Sequence, residues 1–223
     1  MAKARSYRDR CGVARGLDLV GERWALLVVR DLLLGPKRFT DLQSGLSGLS
    51  PDVLTQRLRE LAEGGVIRRR KLAPPASSWV YELTDWGREL EPIVTALGRW
   101  GSQAPFPAGS TTIGADSVIL GIRLLFSPER AEDLTGTYLL RLDGQPFRLH
   151  IAHGVLDVHR EEPEHVDATI DTDAATLDAL LWHGRSLRAA VRAGELTITG
   201  DRSLIDRLLK LFPAEPPQHR ALR

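Results

Sequence analysis

Residues 50–64 most constrain what this chain can become, because they specify one helix at both ends. Ser50 is an N-cap residue, and Pro51 at the first helical position already has the φ a helix needs. Gly64-Gly65 marks the stop. Between them Val53, Leu54, Leu58 and Leu61 recur at helical spacing and predict one buried face. Asp52, Thr55, Gln56 and Arg59 are left facing outward. Residues 66–72 and 78–84 then alternate enough to pair as a hairpin around an Ala-Pro-Pro-Ala-Ser tip. Its first strand carries four consecutive cations, Arg68-Arg69-Arg70-Lys71. Outward amide, carboxylate and guanidinium groups on a helix are what reading base edges in a major groove requires. Cations beside such a helix suit the phosphate backbone. The candidate nucleic-acid contacts are Arg38, Ser50, Asp52, Thr55, Gln56, Arg59, Arg68, Arg69, Arg70 and Lys71.

The flanking segments complete a small helical domain. Residues 12–21 and 24–34 read as helices, with Leu17, Leu19, Val20, Trp24, Leu26, Leu27, Val28, Leu32 and Leu33 as core candidates. A short helix covers 38–46. Thr84 caps a helix from 85 to about 101, striped by Leu90, Ile93, Val94, Leu97 and Trp100.

Charge separates this half from the rest. Residues 1–104 hold 17 Lys and Arg against 12 Asp and Glu, whereas residues 105–223 hold 13 against 17. A basic half joined to an acidic half implies that only the first half meets a polyanion. Residues 101–111 are rich in Pro, Gly and small polar residues, as a linker is, and 213–223 have the composition of a fraying tail. The expected organisation is 1–103 and 113–223 as domains, with 104–112 between them.

The second half predicts a sheet covered by helices. The apolar run Ser117–Phe126 is read as a helix, and Ser127-Pro128-Glu129 opens another short one. Asp143-Gly144 and His153-Gly154 are two-residue hairpin turns. Together they set a register in which Leu140 opposes Phe147, Leu149 opposes Val158 and Ile151 opposes Leu156. Tyr138, Leu140, Leu142, Phe147, Leu149, Ile151, Leu156 and Val158 then share one face, so the two turns support each other. Arg141, Arg148, His150, Asp157 and His159 share the other. Helices at 173–182 and 186–193, a strand at 195–199 and an Asp201-capped helix follow, the last burying Leu204, Ile205, Leu208, Leu209 and Phe212. The fold class expected is α+β in two domains.

Two resemblances emerge. Cys11-Gly-Val-Ala-Arg-Gly-Leu-Asp-Leu-Val-Gly-Glu-Arg-Trp24, Leu-Leu-Leu-Gly-Pro-Lys-Arg-Phe39, the segment Ser50–Leu61 and Tyr81-Glu-Leu-Thr-Asp-Trp-Gly-Arg-Glu-Leu90 resemble the HxlR-type winged helix-turn-helix regulators over residues 8–103. That likeness implies a homodimeric transcription regulator on double-stranded DNA, its dimer built from the first and last helices. Trp86 stands where a smaller aliphatic is usual and is expected to pack. The second half is similar to the sterol-carrier-protein type 2 fold over about 115–212. This rests on the meander, on Asp167-Ala-Thr-Ile-Asp-Thr-Asp173 and on Gly194-Glu-Leu-Thr-Ile-Thr-Gly-Asp201. It implies an apolar small molecule held against Leu120, Leu124, Phe126, Tyr138, Leu140, Phe147, Leu149, Leu156, Leu180 and Leu208. The rival reading is a lipid or acyl-group carrier whose first half mainly dimerises. In a third reading the second half only stabilises the dimer.

Other chemistry is thinly represented. The single cysteine, Cys11, excludes an internal disulfide framework and points to the cytoplasm. It opens a helix near Arg8, Arg10 and Arg15, a setting that favours thiolate. By resemblance it is a candidate redox sensor, the alternative being a small half-buried residue. His150 and His159 share a face with Arg141 and Arg148, which repel a cation, so no metal is expected. Nucleophile-elbow, phosphate-loop and dinucleotide fingerprints are missing, so neither catalysis nor a cofactor is expected. No apolar stretch is long enough and charge-free enough to span a bilayer, and no membrane association is expected.

Overall fold

A computed structural model describes residues 6–74, 77–101, 113–131 and 133–212. The expected linker 104–112, the tail 213–223 and part of the hairpin tip lie outside the described residues. The chain forms two compact units, Met1–Val94 and Thr95–Arg223. Among the described residues no helix is long and apolar enough to cross a membrane.

In the first unit, α1 (Gly12–Val20), α2 (Ala25–Leu32), α3 (Phe39–Gly45) and α4 (Pro51–Glu63) precede a hairpin of β1 (Ile67–Lys71) and β2 (Trp79–Leu83). Leu54, Leu58 and Leu61 of α4 lie in one core with Val28, Val29 and Leu32 of α2, Leu42 of α3 and Ile67 and Leu83 of the hairpin. Val53, expected to be buried, is 40% exposed. The inward stripe steps by four and then three from Leu54, which leaves Val53 about 100° off it. Leu17 and Leu27 are likewise exposed. Val29 and Ala25 occupy the core in their place.

The final helix is broken into α5 (Asp85–Arg88) and α6 (Glu91–Gly101). Pro92 has no N–H to offer the carbonyl of Arg88, so the ladder is interrupted and restarts. Thr84 Oγ1 accepts from the Gly87 amide at 2.9 Å. A Cβ on Gly87 would lie 2.0 Å from the Val66 carbonyl oxygen, so no larger residue closes this turn without moving the hairpin. Trp86 does not pack into the core. It is about half exposed and rims a shallow groove of about 230 Å³ with Leu19, Val20, Leu90 and Ile93.

In the second unit, α7 (Ala115–Leu125) is followed by a 3-10 turn at Glu129–Ala131 and by β3 (Gly136–Leu142), β4 (Gln145–Ala152), β5 (Val155–His159) and β6 (Ala168–Thr172). Then come α8 (Ala174–Trp182), α9 (Leu187–Arg192), β7 (Leu196–Gly200) and α10 (Arg202–Lys210). The sheet order is β5-β4-β3-β6-β7, with β3 and β6 parallel and the other pairs antiparallel. Asp143, Gly144, His153 and Gly154 all have positive φ, the conformation that two-residue hairpins need. The pairs Leu140–Phe147, Leu149–Val158 and Ile151–Leu156 form as the turns predict.

The run 117–126 is a helix, but its buried face is Ala115, Val118, Ile119 and Ile122. Leu120, Leu124 and Phe126, read as pocket residues, are only half-buried. A uniformly apolar run carries no periodicity from which to choose a face. Tyr138, Leu140, Phe147, Leu149 and Leu208 are buried, and Leu156 is half-buried. Leu180 belongs to a separate small cluster with Ala190 and Leu196.

Tyr138 is fully buried, and its hydroxyl has no hydrogen-bond partner among the described residues. Burial pushes its phenol up to about 12. A buried donor left unmade costs about 1–3 kcal/mol, so Tyr138→Phe should raise the stability of this unit by about 1 kcal/mol or more. The unfolded chain releases this proton near pH 10, two units before the folded one. Stability is therefore independent of this proton below about pH 10 and falls as pH rises toward 12, where the unfolded chain ionises before the folded one. Denaturant unfolding across that window should be flatter for Tyr138→Phe. A loss of stability below pH 9 would contradict this account.

Candidate nucleic-acid interface

The candidate contacts divide according to what already holds them. Ser50 Oγ accepts from the Val53 amide at 3.4 Å, which places it as the cap of α4. Thr55 Oγ1 donates to the Pro51 carbonyl at 2.8 Å, which leaves its lone pairs for a donor. Asp52, Thr55 and Arg59 are exposed as expected. Arg59 reaches Glu63 at 3.4 Å along the helix, an exposed pair that a phosphate or base can displace at little cost. Gln56 is half-buried, and its Nε2 donates to Glu60 Oε1. One amide hydrogen is thereby used, which leaves the second N–H and the Oε1 acceptor for a base edge. Arg57 is held by Glu60 and Glu22, which leaves it a structural cation.

The hairpin does not present its four cations as one patch. Strand alternation sends Arg68 and Arg70 to one face and Arg69 and Lys71 to the other. Arg69 stacks over Trp79 with its guanidinium carbon 4.6 Å from the ring centroid. Arg68 and Arg70 both donate to Glu82, through Nε at 2.7 and 2.8 Å. Glu82 is 5% exposed. Its buried site raises the carboxyl's pKa, and the two guanidiniums outweigh that, so the net displacement is below the usual carboxylate value.

Glu82, which the hairpin sets opposite Arg68, is a residue that the sequence reading missed. Asp31 and Lys37 escaped it too. Asp31 in α2 is buried, with Arg30 at 2.8 Å and the buried Lys37 at 3.7 Å. The Lys37 amide donates to the Tyr81 carbonyl at 2.9 Å, and the Tyr81 amide donates back at 2.8 Å. This bridge pins the hairpin to the start of α3. Arg38, the residue before α3, donates from Nε to Ser78 Oγ at 3.1 Å and so lies beside the hairpin end.

Cys11 is exposed at the start of α1. The amides of Ala14 and then Val13 pull its thiol below the ordinary range. On the sheet's polar face, Arg148 pairs with Asp157 and Glu161, Arg141 pairs with Glu162, and His159 reaches Asp157 at 2.8 Å. Asp157 thus joins the histidine to the Arg148–Glu161 pair.

A capped helix docked on two others, followed by a pinned basic hairpin, defines a winged helix-turn-helix domain. The comparisons place it more closely. The family model described as HxlR-like helix-turn-helix matches residues 19–106. The HTH-type transcriptional regulator YvaP of Bacillus subtilis is 35% identical over 89 residues, which is 40% of this chain and 82% of the relative. An HTH-type transcriptional regulator of Mycobacterium bovis is 39% identical over 98 residues, 44% of this chain and 61% of its own. A solved structure of the redox regulator HypR in its oxidised form aligns at 32% identity and a TM-score of 0.40, over 44% of this chain and 100% of that one. The chain belongs to the HxlR-like helix-turn-helix family. Residues 119–220 match a second model, described as alkyl sulfatase C-terminal.

Proposed function

We propose that this protein is a homodimeric transcription regulator that binds duplex DNA through α4 and the hairpin. The observation that carries the reading is the outward face of α4, with Asp52, Thr55 and Arg59 exposed beside a basic hairpin pinned to α3. The regulators named among its relatives support it. We assign DNA binding and dimerisation to residues 1–103 and ligand sensing to 113–223, with 104–112 as connector. The second domain is read as sterol-carrier-like, holding an apolar small molecule against the sheet face of Tyr138, Leu140, Phe147 and Leu149. The alkyl sulfatase named in the matching family's description fits a ligand with an alkyl chain. An exposed Cys11 with a lowered thiol pKa suits a response to oxidants at the start of α1.

Fragments of the native genome that the purified protein retains should share a pseudo-palindrome whose half-sites lie about one helical turn apart. On that site Arg59→Ala should cost about 1–3 kcal/mol, read by fluorescence anisotropy against a scrambled duplex. Equal losses on both duplexes would remove α4 from base reading. No retention of duplex at low salt would sink the function.

A further inference from the structure

The hairpin face of Arg68, Arg70 and Glu82 holds more order than a solvated basic strand needs. Residues 68 and 70 are neighbours on one face of β1, and Glu82 of β2 lies directly across from Arg68. Two guanidiniums side by side repel each other, and a carboxylate between them removes that cost. Each arginine uses only its Nε to reach Glu82, Arg68 on one carboxylate oxygen and Arg70 on the other. Neither has another hydrogen-bond partner among the described residues. A guanidinium is a planar fork with five donors, so a bond through Nε fixes its plane and leaves both Nη groups available. The arginine side chains are 60% and 44% exposed, whereas that of Glu82 is 7% exposed. The acid thus lies beneath two arginine side chains that reach solvent above it. Paired forks of this kind match the oxygens of phosphates, which accept two parallel N–H bonds.

We propose that Glu82 is a positioning residue that presets Arg68 and Arg70 as a paired clamp for the phosphate backbone of duplex DNA. The proposal rests on the DNA-binding reading above. It divides the hairpin's labour, because Arg69 on the opposite face is stacked on Trp79 and takes no part in the clamp. It also makes a prediction opposite in sign to simple charge counting. Removing a negative charge near a polyanion should tighten binding, whereas removing the group that orients two phosphate-binding forks should weaken it.

The test uses the full chain and a labelled duplex of arbitrary sequence, titrated by anisotropy from about 50 to 200 mM salt, where phosphate contacts dominate. Glu82→Gln should bind about fivefold more weakly than the parent at about 50 mM salt and about 2.5-fold more weakly at about 200 mM, a salt slope shallower by about half a unit. In an Arg68→Ala/Arg70→Ala background the same substitution should add nothing. The pair Arg68→Lys/Arg70→Lys keeps both charges but cannot bridge the acid and a phosphate as a fork. It should lose as much affinity as Glu82→Gln. Binding by Glu82→Gln as tight as the parent's, or tighter, overturns the proposal. If circular dichroism shows Glu82→Gln unfolded, the lysine pair decides, and parental affinity in that variant overturns it. A parent chain that binds no duplex at about 50 mM salt removes the DNA-binding reading itself, a result distinct from either of these.

Discussion

Leu97→Glu is expected to turn the proposed dimer into a monomer and to lower affinity for a two-half-site duplex by about 100-fold or more, as loss of paired binding sites does. Along α6 no residue is buried. Yet Ile93, Leu97 and Trp100 repeat at helical spacing and are 54%, 46% and 72% exposed. Three large apolar side chains on one stripe of a single chain mark a surface that water disfavours. In a two-fold dimer a residue near the axis meets its own copy, so one substitution places two like charges together. Leu97 is an exposed residue, so Leu97→Glu should leave the fold intact, and circular dichroism should match the parent. Sedimentation velocity reads the oligomeric state, and anisotropy on the selected site reads the affinity. A Leu97→Glu chain that stays dimeric and binds as the parent does would exclude this stripe as the interface.

What the sequence revealed follows how local each signal is. The turns Asp143-Gly144 and His153-Gly154 require positive φ within two residues, so three strands and their register are readable from them. Ser50 and Pro51 likewise announce α4, because a cap is a short-range hydrogen bond. The face of α7 is unreadable because every candidate face is apolar, and only the packing of the unit selects Val118, Ile119 and Ile122. The break before α6 was visible in Pro92, but the apolar stripe running through it suggested continuity. The candidate interface was legible as a set of residue types, and its internal division was not. Four adjacent cations look like one patch until the strand pleat separates them, and the carboxylate that organises two of them comes from the partner strand. Asp31 is the hardest case. An acid following Arg30 in a helix reads as a solvent-facing residue, and only the return of the chain at Lys37 gives it a buried partner.

Asp31→Ala is accordingly the substitution expected to destabilise the first unit most. Its carboxylate accepts from Arg30 Nε at 2.9 Å and lies 3.7 Å from Lys37 Nζ, both Asp31 and Lys37 being buried. A Cβ on Gly45, at the end of α3, would come within 3.1 Å of Asp31 Oδ2, so α2, the connector after it and α3 close around this acid. Deleting one member of a buried ion pair costs about 3–5 kcal/mol, because the charge left behind keeps its desolvation penalty. In a domain of this size that should lower the melting temperature by more than about 10 °C. The double substitution Asp31→Ala/Lys37→Met removes the buried ammonium as well and should recover most of the loss, since replacing a buried ion pair by apolar residues is often neutral in such a place. The consequence for function runs through the backbone. Lys37 pairs with Tyr81 in both directions, and that bridge sets the hairpin against the start of α3. Asp31→Ala should therefore weaken duplex binding even at temperatures where α4 remains helical, and the double substitution should restore it. Thermal unfolding and anisotropy on the same samples test both halves. An Asp31→Ala chain as stable as the parent would show that Lys37 finds water or another acid, and the anchoring role of the pair would fall with it.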